Sequence, residues 1–219
     1  MKYIVPVLLL MFVSSSALAA KGGGHQKLVE YDYHDFLNSS IQSKTFERYE
    51  NGVEFDFEWT FDRTTIPGAV LRTEIAKDSS GEITRYTQSV FTPATESFGL
   101  REARRYDPNN TAAPVDTTVY TPAVDILTDA MIPGVAWVSA GKMDSTSSGE
   151  SYYAEKSEVV AVENVTVPYG TFTGCLKIHR TSQYGVSLYT RVDWVCPGMG
   201  VVKRINNGRV LIELDGVTY

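Results

Sequence analysis

The segment "VEFDFEW", residues 53–59, constrains the fold most strongly because apolar and acidic residues alternate along it without interruption. A period of two places successive side chains on opposite faces of a β-strand, so one face is apolar and the other is wet. The pair Asn51-Gly52 precedes the segment, and Asn-Gly is the strongest two-residue hairpin signal because both positions tolerate positive φ. The sequence therefore predicts that residues 44–50 and 53–60 form an antiparallel hairpin.

Strand-like stretches separated by turn signals recur along the rest of the chain, at residues 69–77, 82–91, 97–106, 115–120, 152–167, 172–181, 187–195, 201–205 and 210–214. Many short strands at hairpin spacing, with almost no helix, imply an antiparallel sheet. We expect a mainly β protein with a single curved sheet, a half-barrel or open barrel, and one or two short helices. The alternative is a β-sandwich.

The segments between these strands carry helix, loop and turn predictions. The two helix candidates are residues 28–37 and 125–131, and residues 107–114 and 141–149 are predicted as polar loops. A two-residue turn at Asn207-Gly208 would pair Ile205 with Val210.

The first residues predict export. Lys2 supplies a positive charge, residues 4–13 are almost wholly apolar, and Ala17-Leu18-Ala19 is the small-x-small pattern after which signal peptidase cuts. We therefore predict a signal peptide over 1–19, a flexible leader over 20–27 and one β domain over 28–219. The expected location is the periplasm or the extracellular space.

Charge argues against some partners. The formal net charge is −6, and an acidic protein has no general attraction for phosphate backbones, so we expect no nucleic-acid partner. The most apolar later stretch, residues 123–138, contains Asp125, Asp129 and Pro133, so we predict no membrane-spanning segment.

The chain has two cysteines, Cys175 and Cys196. In an exported protein they are expected to form a disulfide, which stabilises a loop of this length by about 3 kcal/mol. If Leu176 faces Trp194, as matched apolar faces require, a regular hairpin puts the cysteines on opposite faces. The sequence therefore predicts an inward-facing Trp194 and a one-residue bulge at or just before Cys196, with Pro197 as a typical residue of such a break.

Catalytic and metal-binding patterns are weak. Asp32, His34 and Asp35 lack the further His or Cys ligands that a metal site needs. The acidic residues around Asp56 lie about 6.6 to 6.8 Å apart along a strand, near the carboxylate separation of inverting glycosidases. Wet faces of amphipathic strands carry such patterns routinely, so a solvated strand face is the preferred explanation. We therefore expect no catalytic residue, metal or cofactor, and a hydrolase at Asp56 is the weakest hypothesis.

The last third of the chain carries two motifs, in the stretches "NVTVPYGTFTGCLKI", residues 164–178, and "YTRVDWVCPGMGVVKR", residues 189–204. They resemble a group of uncharacterised bacterial exported proteins with a Val-x-Val-Pro-x-Gly-Thr-Phe segment before a strand and a later Trp-x-x-x-Gly-x-Gly-x-Val-Lys segment. The matching residues here are Val165, Val167, Pro168, Gly170, Thr171 and Phe172, then Trp194, Gly198, Gly200, Val202 and Lys203. The group is distantly similar to the half-barrels of periplasmic lipoprotein carriers, which implies a curved sheet that cups an apolar ligand.

Aromatic residues at strand spacing are the candidate ligand site. The predicted lining of the concave face is Phe55, Phe57, Trp59, Trp137, Phe172 and Trp194, and Phe46, Phe91 and Phe98 share the pattern. Aromatic residues at strand spacing more often form an ordinary core, and the curvature of the sheet would decide between the two interpretations.

Two functional hypotheses follow from these observations. The first is a non-enzymatic exported protein that binds an apolar or amphipathic, lipid-like ligand. The second is a cell-envelope structural or protein-interaction module that holds an envelope protein through a sheet edge or through residues 141–149.

Overall fold

The computed structural model describes residues 31, 33–37, 40–50, 53–64 and 66–219. The predicted signal peptide over 1–19, the predicted leader over 20–27 and the turn residues 51–52 lie outside this part of the chain. The described residues form one 3₁₀ helix, Tyr33–Phe36, and twelve antiparallel strands. The strands are β1 (Ser43–Glu50), β2 (Val53–Arg63), β3 (Val70–Lys77), β4 (Ile83–Pro93), β5 (Ser97–Asp107), β6 (Asn110–Thr128), β7 (Ala136–Ser145), β8 (Gly149–Val167), β9 (Gly170–Tyr184), β10 (Ser187–Cys196), β11 (Gly200–Asn206) and β12 (Val210–Thr218).

The sheet closes into a barrel. Each strand pairs with the next along the chain, and β1 also pairs with β12 from Ser43↔Thr218 to Glu50↔Val210. The prediction of a mainly β antiparallel sheet is confirmed, but the half-barrel, the open barrel and the sandwich were wrong. Pairing between the first and last strands removes the two free edges that an open sheet would expose.

The first predicted hairpin is present. Glu50 pairs with Val53 and Phe46 with Phe57, so β1 and β2 have the register that a two-residue turn requires. Phe57 and Trp59 are buried while Asp56 is exposed, as the alternation predicts.

Three local predictions were wrong because pairing extends further than the local signals indicate. Asp107 pairs with Asn110, and β6 then runs to Thr128, so the loop at 107–114 is mostly strand and the helix at 125–131 does not form. Pro114 lies where the β5–β6 register shifts, a position that tolerates proline. The predicted loop at 141–149 is instead the end of β7, a short turn and the start of β8.

In the two hairpins near the C-terminus, the strand pairing is shifted by one residue from the predicted pairing. Ile205 pairs with Leu211 rather than Val210, because the β11–β12 turn has three residues. Asn207 and Gly208 have φ of 48° and 65°, the left-handed conformation that Asn and Gly tolerate best. In the β9–β10 hairpin, Leu176 pairs with Val195 and Ile178 with Asp193.

That register changes how the cysteines meet. The predicted disulfide between Cys175 and Cys196 is present, with a Cα–Cα distance of 4.1 Å. The cysteines come next after the pair Leu176↔Val195, so they meet without a bulge between β9 and β10, and the predicted bulge there was wrong. The register shift lies on the other side of β10, between Trp194 and Val195 against β11.

The 3₁₀ helix packs against one end of the barrel. Tyr31 forms a bridge with Met131 after β6, and the Asp35 carbonyl accepts a hydrogen bond of 2.6 Å from the Gly198 amide between β10 and β11. Tyr33 and Phe36 are buried in the barrel core, so this segment closes part of that end. No helix among the described residues combines the length and apolar character needed to span a bilayer.

Candidate functional site: a cavity inside the barrel

A cavity of about 700 Å³ lies at the barrel end beside the 3₁₀ helix. This volume falls in the range of small-molecule pockets. Its apolar walls are formed mainly by Tyr33, Phe36, Ile41, Trp59, Phe61, Val70, Phe91, Phe98, Leu127 and Val195. Exposed residues at its rim include Leu37, Ile66, Pro67 and Pro93, so the cavity has a mouth toward solvent.

Strand pairing explains why these side chains converge. Trp59 and Phe61 are two residues apart on β2 and share a face. Across the sheet, Val70 pairs with Phe91 and Pro93 with Phe98, so the same face continues from β3 to β5. Closing the barrel directs this face inward.

Lys44 is a cation on the cavity wall. Lys44 is only 4% exposed. Its Nζ donates hydrogen bonds to the backbone carbonyls of Met199 and Val201, the latter at 3.3 Å. No carboxylate among the described residues forms an ion pair with it. Burial, followed by the nearby charge of Arg72, lowers the pKa of Lys44 to about 7.

Arg72 is a second cation on the wall. Its guanidinium carbon lies 4.5 Å from the Trp59 ring centroid and 5.0 Å from that of Phe91. The Glu74 carboxylate is 3.8 Å from one terminal nitrogen, while the buried Nε has no hydrogen-bond partner among the described residues. Burial lowers the pKa of Arg72 to about 10, although Glu74 opposes the shift.

Arg180 differs from Lys44 and Arg72 because two buried carboxylates balance its charge. It is fully buried, with Nε 3.0 Å from Asp193 and Nη1 3.3 Å from Glu155. It also donates hydrogen bonds to the Ser157 hydroxyl at 2.7 Å and the Ile126 carbonyl at 2.6 Å. This arginine is therefore held as part of the barrel core.

Asp193 joins three arginines, of which Arg180 also lines the cavity. Arg180, Arg191 and Arg204 lie within 3.1 Å of its carboxylate oxygens. Burial would raise the pKa of Asp193, but these arginines, Arg191 most strongly, hold it well below its ordinary value. Asp193 is thus ionised throughout the pH range in which proteins are usually studied.

Of the three predicted aromatics on β2, only Trp59 lines the cavity. Phe57 is buried beside Phe46, with ring centroids 6.0 Å apart. Phe55 lies further along the same inner face, 5.6 Å from the Arg48 guanidinium. The inward orientation of this stripe is therefore as predicted, but most of it is packed core.

The other three predicted aromatics lie away from the cavity. Trp137 donates a hydrogen bond of 3.0 Å to the Asp125 carbonyl, and Phe172 stacks with Tyr169 at 6.3 Å. Trp194 faces away from the side of β10 that carries Asp193 and Val195.

The surroundings of Trp194 establish that orientation. Its ring lies 5.0 Å from the Lys177 ammonium and 5.6 Å from that of Lys203, and its Nε1 donates a hydrogen bond to Glu163. Trp194 is 8% exposed and clusters with Cys175 and Cys196, so it is buried as predicted. Its predicted orientation into the barrel was wrong, because the register places Asp193 on that side.

Lys44 and Arg72 are two charged cavity residues that the sequence interpretation missed. Each has the parity of an inward-facing neighbour, Phe46 for Lys44 and Val70 for Arg72. This alternation along the strand was the signal that could have identified them. It was overlooked because charged residues were assigned to the solvent-exposed face.

The described residues offer little for metal or carboxylate chemistry. They contain no group of three His, Cys, Asp or Glu side chains that could hold a metal ion. Asp56 is exposed on the outer face, paired in register with Glu47 and Lys77.

Comparison with known proteins identifies the fold. No protein-family model matches the chain, and no curated protein matches it. A protein from Bacteroides fragilis described as exported, with a YmcC-like fold, is 16% identical, with 84% of this chain and 98% of that chain covered and a TM-score of 0.55. A protein from Parabacteroides distasonis described as a lipoprotein is 14% identical, with the same coverage and a TM-score of 0.54. These neighbours fit the expected exported location, and the chain shares the fold described as YmcC-like.

Proposed function

We propose that this chain is an exported, non-enzymatic protein that binds an apolar or amphipathic, lipid-like molecule inside its barrel. The cavity of about 700 Å³, with aromatic and aliphatic walls, is the observation that carries the proposal. A volume of this size with apolar walls favours burial of an apolar group, worth about 25 cal/mol per Å² removed from water. The exported neighbours and the two sequence motifs support the location.

Filling the cavity tests this function. Val70 lines it, whereas Leu71 follows on the opposite face of β3. We expect Val70→Trp to abolish binding of a fluorescent apolar probe and to remove any lipid that co-purifies, as measured by native mass spectrometry. Leu71→Trp is the matched control and should retain both. Equal retention by the two folded variants would contradict binding in the cavity.

Exposed apolar side chains favour a second candidate, a protein-interaction module of the cell envelope. Val186 is fully exposed at the β9–β10 turn, with Leu188 66% and Tyr152 64% exposed nearby. Tyr152 adjoins the turn because its carbonyl accepts a hydrogen bond from Gly185. Residues 141–149, considered earlier as an interaction loop, are largely strand.

In-cell photocrosslinking distinguishes this candidate. A crosslinker at position 186 should capture one dominant envelope protein, and one at the exposed Ile83 should not. Absence of a dominant product from position 186 would count against a docking role for this patch.

A further inference from the structure

The inner wall of the cavity carries more positive charge than its carboxylates balance. Asp193 is shared by Arg180, Arg191 and Arg204, and Glu155 is shared by Arg180 and Arg191. These carboxylates are therefore committed to those three arginines. Lys44 and Arg72 face the cavity with much weaker compensation.

Lys44 has backbone carbonyls but no carboxylate for a partner in the described part of the chain. A buried ammonium in this position is costly because carbonyl dipoles compensate a full charge only in part. An anion entering the cavity would supply the missing charge.

Glu74, the carboxylate that forms an ion pair with Arg72, is also shared. Glu74 accepts a hydrogen bond of 3.2 Å from Trp59 Nε1 and lies 3.7 Å from Arg85. Its distance of 3.8 Å from Arg72 is longer than a direct charge-assisted hydrogen bond. The buried Nε of Arg72 has no hydrogen-bond partner in the described part of the chain, so its charge is poorly compensated.

The two cations lie against the same stripe of β2. Lys44 pairs in register with Trp59, and Arg72 pairs with Phe61. Lys44 Nζ is also 5.7 Å from the Phe61 ring centroid, and Arg72 stacks over Trp59. Both charges thus flank one pair of aromatic side chains, while the apolar wall continues to the rim.

We propose that the cavity ligand is an amphipathic anion, with its acidic head group bound by Lys44 and Arg72 and its apolar chain directed along Phe91 and Phe98 toward the mouth. This inference rests on the proposed function and adds the chemical class of the ligand. A fatty acid represents the class, because it joins one carboxylate to one unbranched apolar chain.

Isothermal titration calorimetry with decanoate, decanol and acetate separates the contributions of chain and charge. The ligand-free protein should bind decanoate at least about tenfold more tightly than decanol, since charge-assisted hydrogen bonds are formed only by the carboxylate. Acetate has the charge without the chain and should show no measurable binding.

Variants locate the head group. Lys44→Met and Arg72→Met should each weaken decanoate binding by about tenfold and leave decanol binding unchanged. Lys77→Met removes the same charge from the outer face of β3, where Lys77 pairs in register with Asp56, and should not alter decanoate binding. Arg72→Lys retains the charge and should bind decanoate better than Arg72→Met.

Each contrary outcome has one meaning. Equal affinity of the wild-type protein for decanoate and decanol would overturn the claim that the ligand has an anionic head group, while leaving the proposed function intact. This comparison requires no variant. Acetate binding as tightly as decanoate would mean a site for free anions and would overturn the amphipathic class. Failure of both long-chain ligands to bind would remove the proposed function itself.

Discussion

Replacing Lys44 with Met should change how stability depends on pH. The pKa of Lys44 is lowered from 10.5 to about 7 in the folded protein. Below about pH 7 the amine is charged in both states, so the folded protein carries the full cost of burying it. As the pH rises toward 10.5, the folded protein releases this proton while the unfolded chain retains it. The free energy of unfolding therefore increases across this window.

The magnitude follows from the pKa difference. One pKa unit corresponds to about 1.4 kcal/mol, so the Lys44 contribution should rise by roughly 2.5 kcal/mol between about pH 6 and pH 9. Burial raises the pKa of Tyr120 to about 12, so this tyrosine lowers stability only above about pH 10. Measurements up to about pH 9 thus avoid its contribution.

Urea unfolding of the ligand-free protein, followed by tryptophan fluorescence, measures this effect. The wild-type free energy of unfolding should rise more steeply with pH than that of Lys44→Met, by roughly 2.5 kcal/mol over the window. Lys77→Met is the charge-matched control and should follow the wild-type slope. Parallel curves for the wild type and Lys44→Met would refute the reasoning that the buried amine titrates near neutral pH.

Two further predictions concern what holds the barrel together. Replacing both Cys175 and Cys196 with Ser should lower the free energy of unfolding by about 3 kcal/mol, since the disulfide closes a loop across 21 residues; urea curves without reductant measure this, and an unchanged midpoint would contradict it. Asp193→Asn should cost about 3 to 5 kcal/mol because three arginines lose a shared carboxylate, whereas Asp56→Asn on the outer face should change stability by less than about 0.5 kcal/mol. Similar urea midpoints for these two variants would argue against the buried ion cluster.

Local sequence signals predicted the hairpins well but not the closure of the barrel. Alternation in β2 specifies which side chains share a face, and that relation depends only on neighbouring residues. Closure depends instead on β1 meeting β12, from Ser43↔Thr218 onward, and no local pattern encodes a contact between segments so distant in sequence. The error of register in the last hairpin had a local origin, since the turn after Asn206 contains one more residue than the Asn-Gly pair indicates.

The candidate site was harder to predict than the fold. The inward stripe of β2 was correctly recognised, but which of its rings border empty space depends on how far the opposite walls stand apart. Lys44 and Arg72 were missed because charged residues usually lie on the wet face of a strand. The same expectation placed Trp194 inside and Asp193 outside, whereas three arginines make a buried Asp193 favourable.

The pairing of β1 with β12 also has a consequence for the order of folding. In the described sheet, every other strand pair joins consecutive strands, so those pairs form with low loop-closure entropy. Joining the first strand to the last brings together segments more than about 150 residues apart, which is the slower kind of contact to form. We expect a meandering sheet to precede the ring, with the cavity appearing only at the final step. A ligand that binds the closed barrel would then slow unfolding more than it speeds folding, because it stabilises the pairing of β1 with β12.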